Sequence, residues 1–185
     1  MPGATIRLKT RDLVTRSNRE DYRAGPLKRR ASGSSHYLLK FDGPIGQEQL
    51  DELSSRGAAI TSSIPDGGLM VVAGDDFTPE TLGVEWAGRL RAADKLSLSL
   101  DRLPGGVPSV LVVEFHSDMD MDEARRIVLE AGLTMLDHAD LMNNQLLVSG
   151  SLSGVSALAD WDEVAYVFPA SKDLIAGNRL IACVG

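Results

Sequence analysis

The sequence contains one pattern of secondary structure twice, and this repeat constrains the fold more than any other feature. Residues 36–74 (HYLLKFDGPIGQEQLDELSSRGAAITSSIPDGGLMVVAG) align with residues 111–150 (LVVEFHSDMDMDEARRIVLEAGLTMLDHADLMNNQLLVSG). Phe41 matches Phe115 and Gly57 matches Gly132, with offsets that differ by a single residue. Self-similarity at a fixed spacing is typical of tandem structural units. The sequence therefore predicts two related small domains.

Each copy has the pattern strand, helix, hairpin, short helix, strand. Apolar residues at helical spacing predict the first helix of each copy, and a glycine follows where a left-handed residue would end it. The order βαββαβ is that of ferredoxin-like domains. We therefore expect an α+β protein, with two tandem ferredoxin-like sandwiches and antiparallel sheets. The predicted elements are, in copy one, 36–41, 47–56, 58–64, 69–73 and 78–92, and in copy two, 110–116, 120–131, 133–138, 145–149 and 151–168.

Charge divides the chain unevenly. Residues 1–35 hold nine Lys and Arg against three acidic residues, a net +6, whereas residues 36–185 hold ten against 23, a net −13. An acidic body argues against nucleic-acid binding, which needs clustered basic side chains. We expect a poorly packed, extended basic arm at 1–35, copy one at 36–105, copy two at 106–170, and an extended tail at 171–185.

Alternation in the predicted strands defines an open sheet face. Tyr37, Leu39 and Phe41 are expected to face the helices of copy one, which leaves the intervening side chains on the other face. That face is half apolar, and such a surface usually packs against something. Either the sister copy or a foreign protein could cover it. The candidate partner-binding residues are Leu38, Lys40, Met70, Val72, Val112, Glu114 and Leu147.

The side chains that could act in catalysis or bind a metal do not form a known catalytic motif. His36, His116 and His138 lie near strand ends without metal-ligand spacing, and we interpret them as ordinary strand-edge residues. The acidic run 118–123 lacks the glycine and the final glutamate of a calcium loop. A single cysteine, Cys183, excludes an intrachain disulfide. We therefore expect no catalytic residue, no cofactor and no metal, and we do not expect the protein to be an enzyme.

Trp86 and Trp161 occupy matching positions, each just before a predicted last strand, and are expected to be core anchors. No apolar run is long enough for a membrane helix, and the first residues lack the apolar stretch of a signal peptide. The protein is therefore expected to be cytosolic or to have lost a signal peptide, and no membrane partner is expected.

Two motifs of copy one resemble the propeptide and peptidase-inhibitor domains that precede secreted bacterial proteases of subtilisin or matrixin type. In those domains a strand of the type Y-[LI]-V-x-F is followed, after a helix, by an IPD-x-x-L-x-V hairpin. The matching residues are Tyr37, Leu38, Leu39, Phe41, Ile64, Pro65, Asp66, Leu69 and Val71.

The resemblance implies a module that assists the folding of a secreted protease, or inhibits it. It would pack a sheet face on the protease and lay its tail across the substrate cleft by strand addition. The partner would be a protease domain, downstream in the same precursor or on another chain, and the location would be secreted or periplasmic. The chain departs from simple propeptides in having two copies.

Two other functions belong to the same fold. Tandem ferredoxin-like domains also form sensors that bind a small molecule, such as an amino acid, at the interface between domains. That function favours a glycine-rich turn after the first strand, which 42–44 (DGP) partly supplies and 117–119 (SDM) does not. RNA binding would need paired aromatic residues and a basic face, which the acidic body does not offer.

Overall fold

The structure is a computed structural model that describes residues 5–15, 28–29, 33–104 and 107–181. It begins with a short antiparallel hairpin of two strands, β1 (Thr5–Arg7) and β2 (Asp12–Val14). Sequence analysis predicted a poorly packed arm here, and for this segment that prediction is wrong. Ile6 and Leu13 are fully buried, because alternation places both side chains on the same face of the hairpin.

Copy one forms a four-stranded antiparallel sheet in the order β4-β5-β3-β6. This is the ferredoxin-like order, in which the first and third strands of the copy are central. Its core contains Tyr37, Leu39 and Phe41 packed with Leu53, as the alternation predicted. The elements are β3 (Ser34–Phe41), α1 (Gln47–Ser55), β4 (Ala59–Ile64), β5 (Gly68–Gly74), a 3₁₀ turn (Pro79–Leu82) and β6 (Val84–Gly88).

Copy two repeats the same topology in a second antiparallel sheet, with the order β10-β7-β9-β8. The prediction of two tandem ferredoxin-like sandwiches is confirmed. Gly57 and Gly132, at φ of 72° and 74°, follow the first helix of each copy in the left-handed region. Its elements are β7 (Ser109–Phe115), α3 (Met121–Glu130), β8 (Thr134–Leu136), β9 (Gln145–Gly150), α4 (Leu152–Ala159) and β10 (Val164–Pro169).

The segment between the copies packs mainly on copy two. It contains α2 (Ala92–Lys95) and a 3₁₀ turn (Leu98–Arg102). Leu96 forms a parallel bridge with Val167 in β10, and Leu100 belongs to the core of copy two. That core therefore includes residues from the range assigned to copy one.

The two tryptophans are not equivalent. Trp86 lies inside β6, opposite Lys40, so its predicted position before the last strand is wrong. The reason is that a four-residue 3₁₀ turn stands where copy two has the eight-residue α4, so the last strand of copy one begins earlier. Trp86 packs on the open face of copy one, and Trp161 packs in the helix-side core of copy two.

The predicted extended tail contains a helix. Residues Lys172–Ile181 form α5, and the hydroxyl of Ser171 accepts a hydrogen bond from the backbone N–H of Leu174 at 3.3 Å. A serine at this position caps the first turn and favours helix over extended chain. Residues 182–185, including Cys183, lie outside the described residues. Within the described ranges, no helix is long and apolar enough to span a membrane.

Candidate functional site

The open sheet face predicted to bind a partner is buried within this chain. Leu38, Met70, Val112 and Leu147 are at most 3% exposed, and Lys40 is 7% exposed. Val72 and Glu114 are half-buried. The five buried positions are therefore covered within this chain in this conformation, whereas Val72 and Glu114 stay partly accessible.

The hairpin β1–β2 covers much of the open face of copy one. Ile6 and Leu13 pack in one cluster with Leu38, Met70 and Trp86. The hairpin also reaches copy two, because the turn between its strands carries polar side chains that contact β7 and α2. It therefore joins the two copies as well as covering one of them.

Three polar contacts fix that turn. Lys9 Nζ lies 3.0 Å from a carboxylate oxygen of Glu114 and 4.8 Å from the centre of the Tyr166 ring. The Thr10 hydroxyl donates to the Asp94 carbonyl at 3.1 Å. Arg11 Nε donates to the Asp94 carboxylate at 2.8 Å, and that carboxylate is fully buried. A buried carboxylate needs such a partner.

A cavity of about 200 Å³ lies where the hairpin and the two copies meet. Leu8 contributes from the hairpin, Ile64 and Met70 from copy one, and Tyr166 from copy two. His116 also lines it, at the end of β7. The cavity is therefore assembled from three parts of the chain.

His36 is held between two carboxylates of copy two. Its Nδ1 lies 2.8 Å from Asp162 Oδ2 and its Nε2 lies 3.0 Å from Asp118 Oδ1. The backbone N–H of His36 donates to the same Asp162 oxygen at 2.9 Å. Burial lowers the pKa of His36, but the hydrogen bonds and charges of the two carboxylates outweigh it and raise the pKa to about 9. His36 is therefore charged at neutral pH and links copy one to copy two.

His116 is the uncharged member of a stacked pair. Its ring lies 3.9 Å from the His36 ring, at an interplanar angle of 15°. Burial, reinforced by the positive charges of His36 and Lys95, lowers the pKa of His116 well below 6.5. Among the described residues, no group hydrogen-bonds the His116 ring, and the residue is only 5% exposed and lines the cavity. A neutral imidazole there offers one donor and one acceptor.

Lys95 adds a buried amine to this interface. It is 1% exposed, and its Nζ donates to the Trp161 carbonyl. Burial lowers the pKa of Lys95 to about 8, although Asp162 and other nearby acids act in the opposite direction. The contact between the copies thus concentrates ionisable groups that are rarely buried without partners.

A second cavity, of about 450 Å³, is lined by His36 together with Asp118, Asp120, Glu123 and Asp162. Despite these acids, no group of three or more His, Cys, Asp or Glu side chains within the described ranges could hold a metal ion.

Sequence reasoning missed the two histidines of the interface. Both were interpreted as ordinary strand-edge residues, and Lys95 was not singled out. A signal was present, because His36 has the strand parity of Leu38, and His116 has that of Val112, on faces predicted to pack. A histidine on each of two packing faces indicates a polar contact between them.

No protein-family model matches the sequence, and comparisons with curated proteins and with solved structures found no match. The fold assignment therefore rests on strand order alone, and the resemblance to protease propeptides stays a prediction.

Proposed function

We propose that this protein is a non-catalytic binding module that takes a small molecule in the cavity between the hairpin and the two copies. The observation that carries this proposal is the cavity itself, which three parts of the chain build and which His116 lines. Ligand sites are common where domains meet. A ligand bound there would contact both copies and change how strongly they associate.

The size of the cavity limits the ligand. Its volume of about 200 Å³ is below the roughly 300–1,000 Å³ of sites for drug-sized molecules. The ligand would therefore be a small metabolite, which agrees with the alternative of a tandem ligand-sensing domain.

The protonation state of His36 supports the non-catalytic part of this proposal. A general base must be able to accept a proton from its substrate. His36 is already protonated at neutral pH, and both of its ring nitrogens face carboxylates of the same chain. It is suited to holding the copies together.

Protease folding assistance or inhibition, with a protease domain as partner, stays a prediction from the resemblance, and so does a secreted or periplasmic location. A module acting through Leu38, Met70 and Val112 would first have to uncover residues that are now buried. A tail lying across a cleft would have to unwind α5. Titration of a subtilisin-type protease with this protein tests that function directly, and slow-binding inhibition would support it.

A thermal-shift screen of small metabolites tests the proposed site. Ala165, which lines the cavity from β10, is replaced by phenylalanine to fill the space. Ala59→Phe, at an exposed position of β4, is the matched control. A ligand at one hundred times its dissociation constant stabilises a protein by about 2.7 kcal/mol.

We expect compounds that raise the melting temperature of the wild type and of Ala59→Phe but have no effect on Ala165→Phe. Equal shifts in all three proteins would place binding elsewhere and contradict the proposal. The absence of any stabilising compound would also count against it.

A further inference from the structure

We propose that the cavity selects an uncharged molecule with an apolar body and one hydrogen-bonding group, and that His116 binds this group. The inference rests on the proposed function and narrows it, because it excludes the amino acid suggested by the resemblance to sensors. It follows from the charges around the cavity, from the state of His116 and from the apolar walls.

The charged side chains around the cavity already have partners in this chain. Lys9 pairs with Glu114 at 3.0 Å, and the Asp94 carboxylate accepts from Arg11 at 2.8 Å. Arg7 also lines the cavity, and it pairs with Asp66 at 3.3 Å. An ammonium or carboxylate group of a ligand would therefore compete with the partners that these charges already have in this chain, and a charge taken into the cavity without a partner is unfavourable.

His116 differs from these residues because its ring has hydrogen-bonding capacity to spare. The His116 ring stacks on the His36 ring, and no described group donates a hydrogen bond to it or accepts one from it. Protonation of His116 would place a second positive charge 3.9 Å from the charged His36 ring, so the neutral form is favoured. A neutral imidazole can bind an amide, an alcohol or a ring nitrogen of a ligand.

Apart from Ser62 and Ser63, the remaining walls are apolar and suit an apolar body. Leu8, Ile64, Met70 and Leu90 contribute aliphatic or thioether surface, and the Tyr166 ring contributes an aromatic face. Methionine adapts to irregular shapes and makes favourable contacts with aromatic rings. A planar or compact apolar group with one polar substituent therefore matches the lining.

Four probes of similar size and different charge test this selectivity. Benzamide is uncharged and can both donate and accept, benzoate is an anion, benzylamine is a cation at neutral pH, and phenylalanine is a zwitterion. Toluene serves as an apolar probe with no hydrogen-bonding group. Binding to the full chain is measured by two-dimensional NMR titration, with the amide signals of Met70 and Ala165 reporting on the cavity.

We expect benzamide to shift those signals and to bind at least about ten times more tightly than the three charged probes. His116→Phe retains a stacked ring but removes both ring nitrogens. It should weaken benzamide binding about tenfold, the effect of a lost hydrogen bond, and leave toluene binding unchanged. His138→Phe, at a histidine outside the cavity lining, is the matched control and should bind both probes like the wild type.

The outcomes separate this inference from the proposed function. If phenylalanine, benzoate or benzylamine binds the cavity more tightly than benzamide, the charge argument is wrong while the site stands. If His116→Phe binds benzamide like the wild type, the assigned role of His116 is wrong. If no probe perturbs the cavity signals, or if Ala165→Phe leaves binding intact, both the proposed function and this inference are overturned.

Discussion

Replacing His36 by glutamine should remove a part of the free energy of unfolding that depends on pH. His36 is 7% exposed in its side chain and contacts carboxylates of Asp118 and Asp162. Burial opposes its charged form, but the two carboxylates prevail and hold its pKa at about 9, against 6.5 for an ordinary histidine. The folded state therefore binds the proton more tightly than the unfolded state. This contribution is complete below pH 6.5 and is lost as the pH rises through about 9.

The size of the contribution follows from the interval between the two pKa values. One pH unit corresponds to about 1.36 kcal/mol, so the interval from 6.5 to about 9 corresponds to about 3 kcal/mol. The difference in unfolding free energy between the wild type and His36→Gln should therefore shrink by about this amount between pH 6.5 and pH 9.

Lys95 and His116 also make the free energy of unfolding depend on pH, but over other parts of the pH range. Burial lowers the pKa of Lys95 from 10.5 to about 8, so its contribution is present above 10.5 and is lost as the pH falls through 8. The depressed pKa of His116 gives a contribution that is present above 6.5 and is lost on acidification. The wild-type profile should therefore fall from pH 6.5 to 8 and flatten between 8 and 9, where His36 and Lys95 oppose each other.

Urea unfolding at a series of pH values, followed by tryptophan fluorescence, measures this difference. Subtracting the His36→Gln profile from the wild-type profile cancels the contributions of Lys95 and His116 to the extent that they are independent of His36. His138→Gln, which removes an imidazole that contacts neither Asp118 nor Asp162, is the matched control. A constant difference between wild type and His36→Gln across the range would refute the reasoning, because it would mean that His36 has the same pKa in both states.

Three further substitutions test the packing. Leu13→Ala removes a fully buried hairpin side chain and should lower the unfolding free energy by about 2–5 kcal/mol; an unchanged urea midpoint would show that the hairpin is not packed. Gly154→Ala would place a Cβ 2.8 Å from the Ala131 carbonyl oxygen and should cost about 1–3 kcal/mol by overpacking, and an unchanged melting temperature would contradict this close approach. Lys95→Met retains the buried volume and removes an amine whose pKa burial lowers to about 8, so it should be neutral or stabilising at neutral pH, and strong destabilisation in urea would show that the ammonium is needed.

The fold of each copy could be predicted because its signals are local. Strand alternation placed Tyr37 and Leu39 on the helix side, and both lie in the core of copy one. The two glycines that end the first helices have positive φ values, as their positions indicated. These features depend on periodicity and on backbone conformation, which neighbouring residues largely determine.

The second half of copy one was harder to predict, because a short segment determines where its last strand begins. Residues Pro79–Leu82 form a single 3₁₀ turn, and Gly83 at φ 68° ends it. The match between Trp86 and Trp161 suggested equal spacing in the two copies. The shorter turn instead brings Trp86 into β6, on the face that the hairpin covers.

Strand parity puts His36 and His116 on faces predicted to pack, but the contact between these two residues could not be predicted because it depends on how the copies are placed. The offset between Phe41 and Phe115 aligns His36 with Val110 in β7, whereas His116 lies just past the end of that strand. No rule of periodicity brings these two rings together. Their stacking requires the two sheets to face each other, and the charge of His36 requires Asp118 and Asp162 from loops of copy two.

The structure changes the interpretation of the uneven charge, because it shows where the basic arm contacts the acidic body. In the sequence, a net +6 on the arm beside a net −13 on the body argued against nucleic-acid binding. Among the described residues, basic side chains of the arm pair with acids of the body in Arg7–Asp66, Lys9–Glu114, Arg11–Asp94 and Arg29–Asp75.

These ion pairs do not contribute equally to the stability of the protein. The exposed pair Arg7–Asp66 is screened by water and salt and contributes little. Arg11 donates to a fully buried carboxylate at 2.8 Å, so its removal would leave Asp94 with the more distant Arg91, whose Nε lies 3.9 Å away. The arm is therefore an internal partner of the acidic body. Any partner that displaced the hairpin would have to replace both the apolar packing of Ile6 and Leu13 and the cation at Asp94.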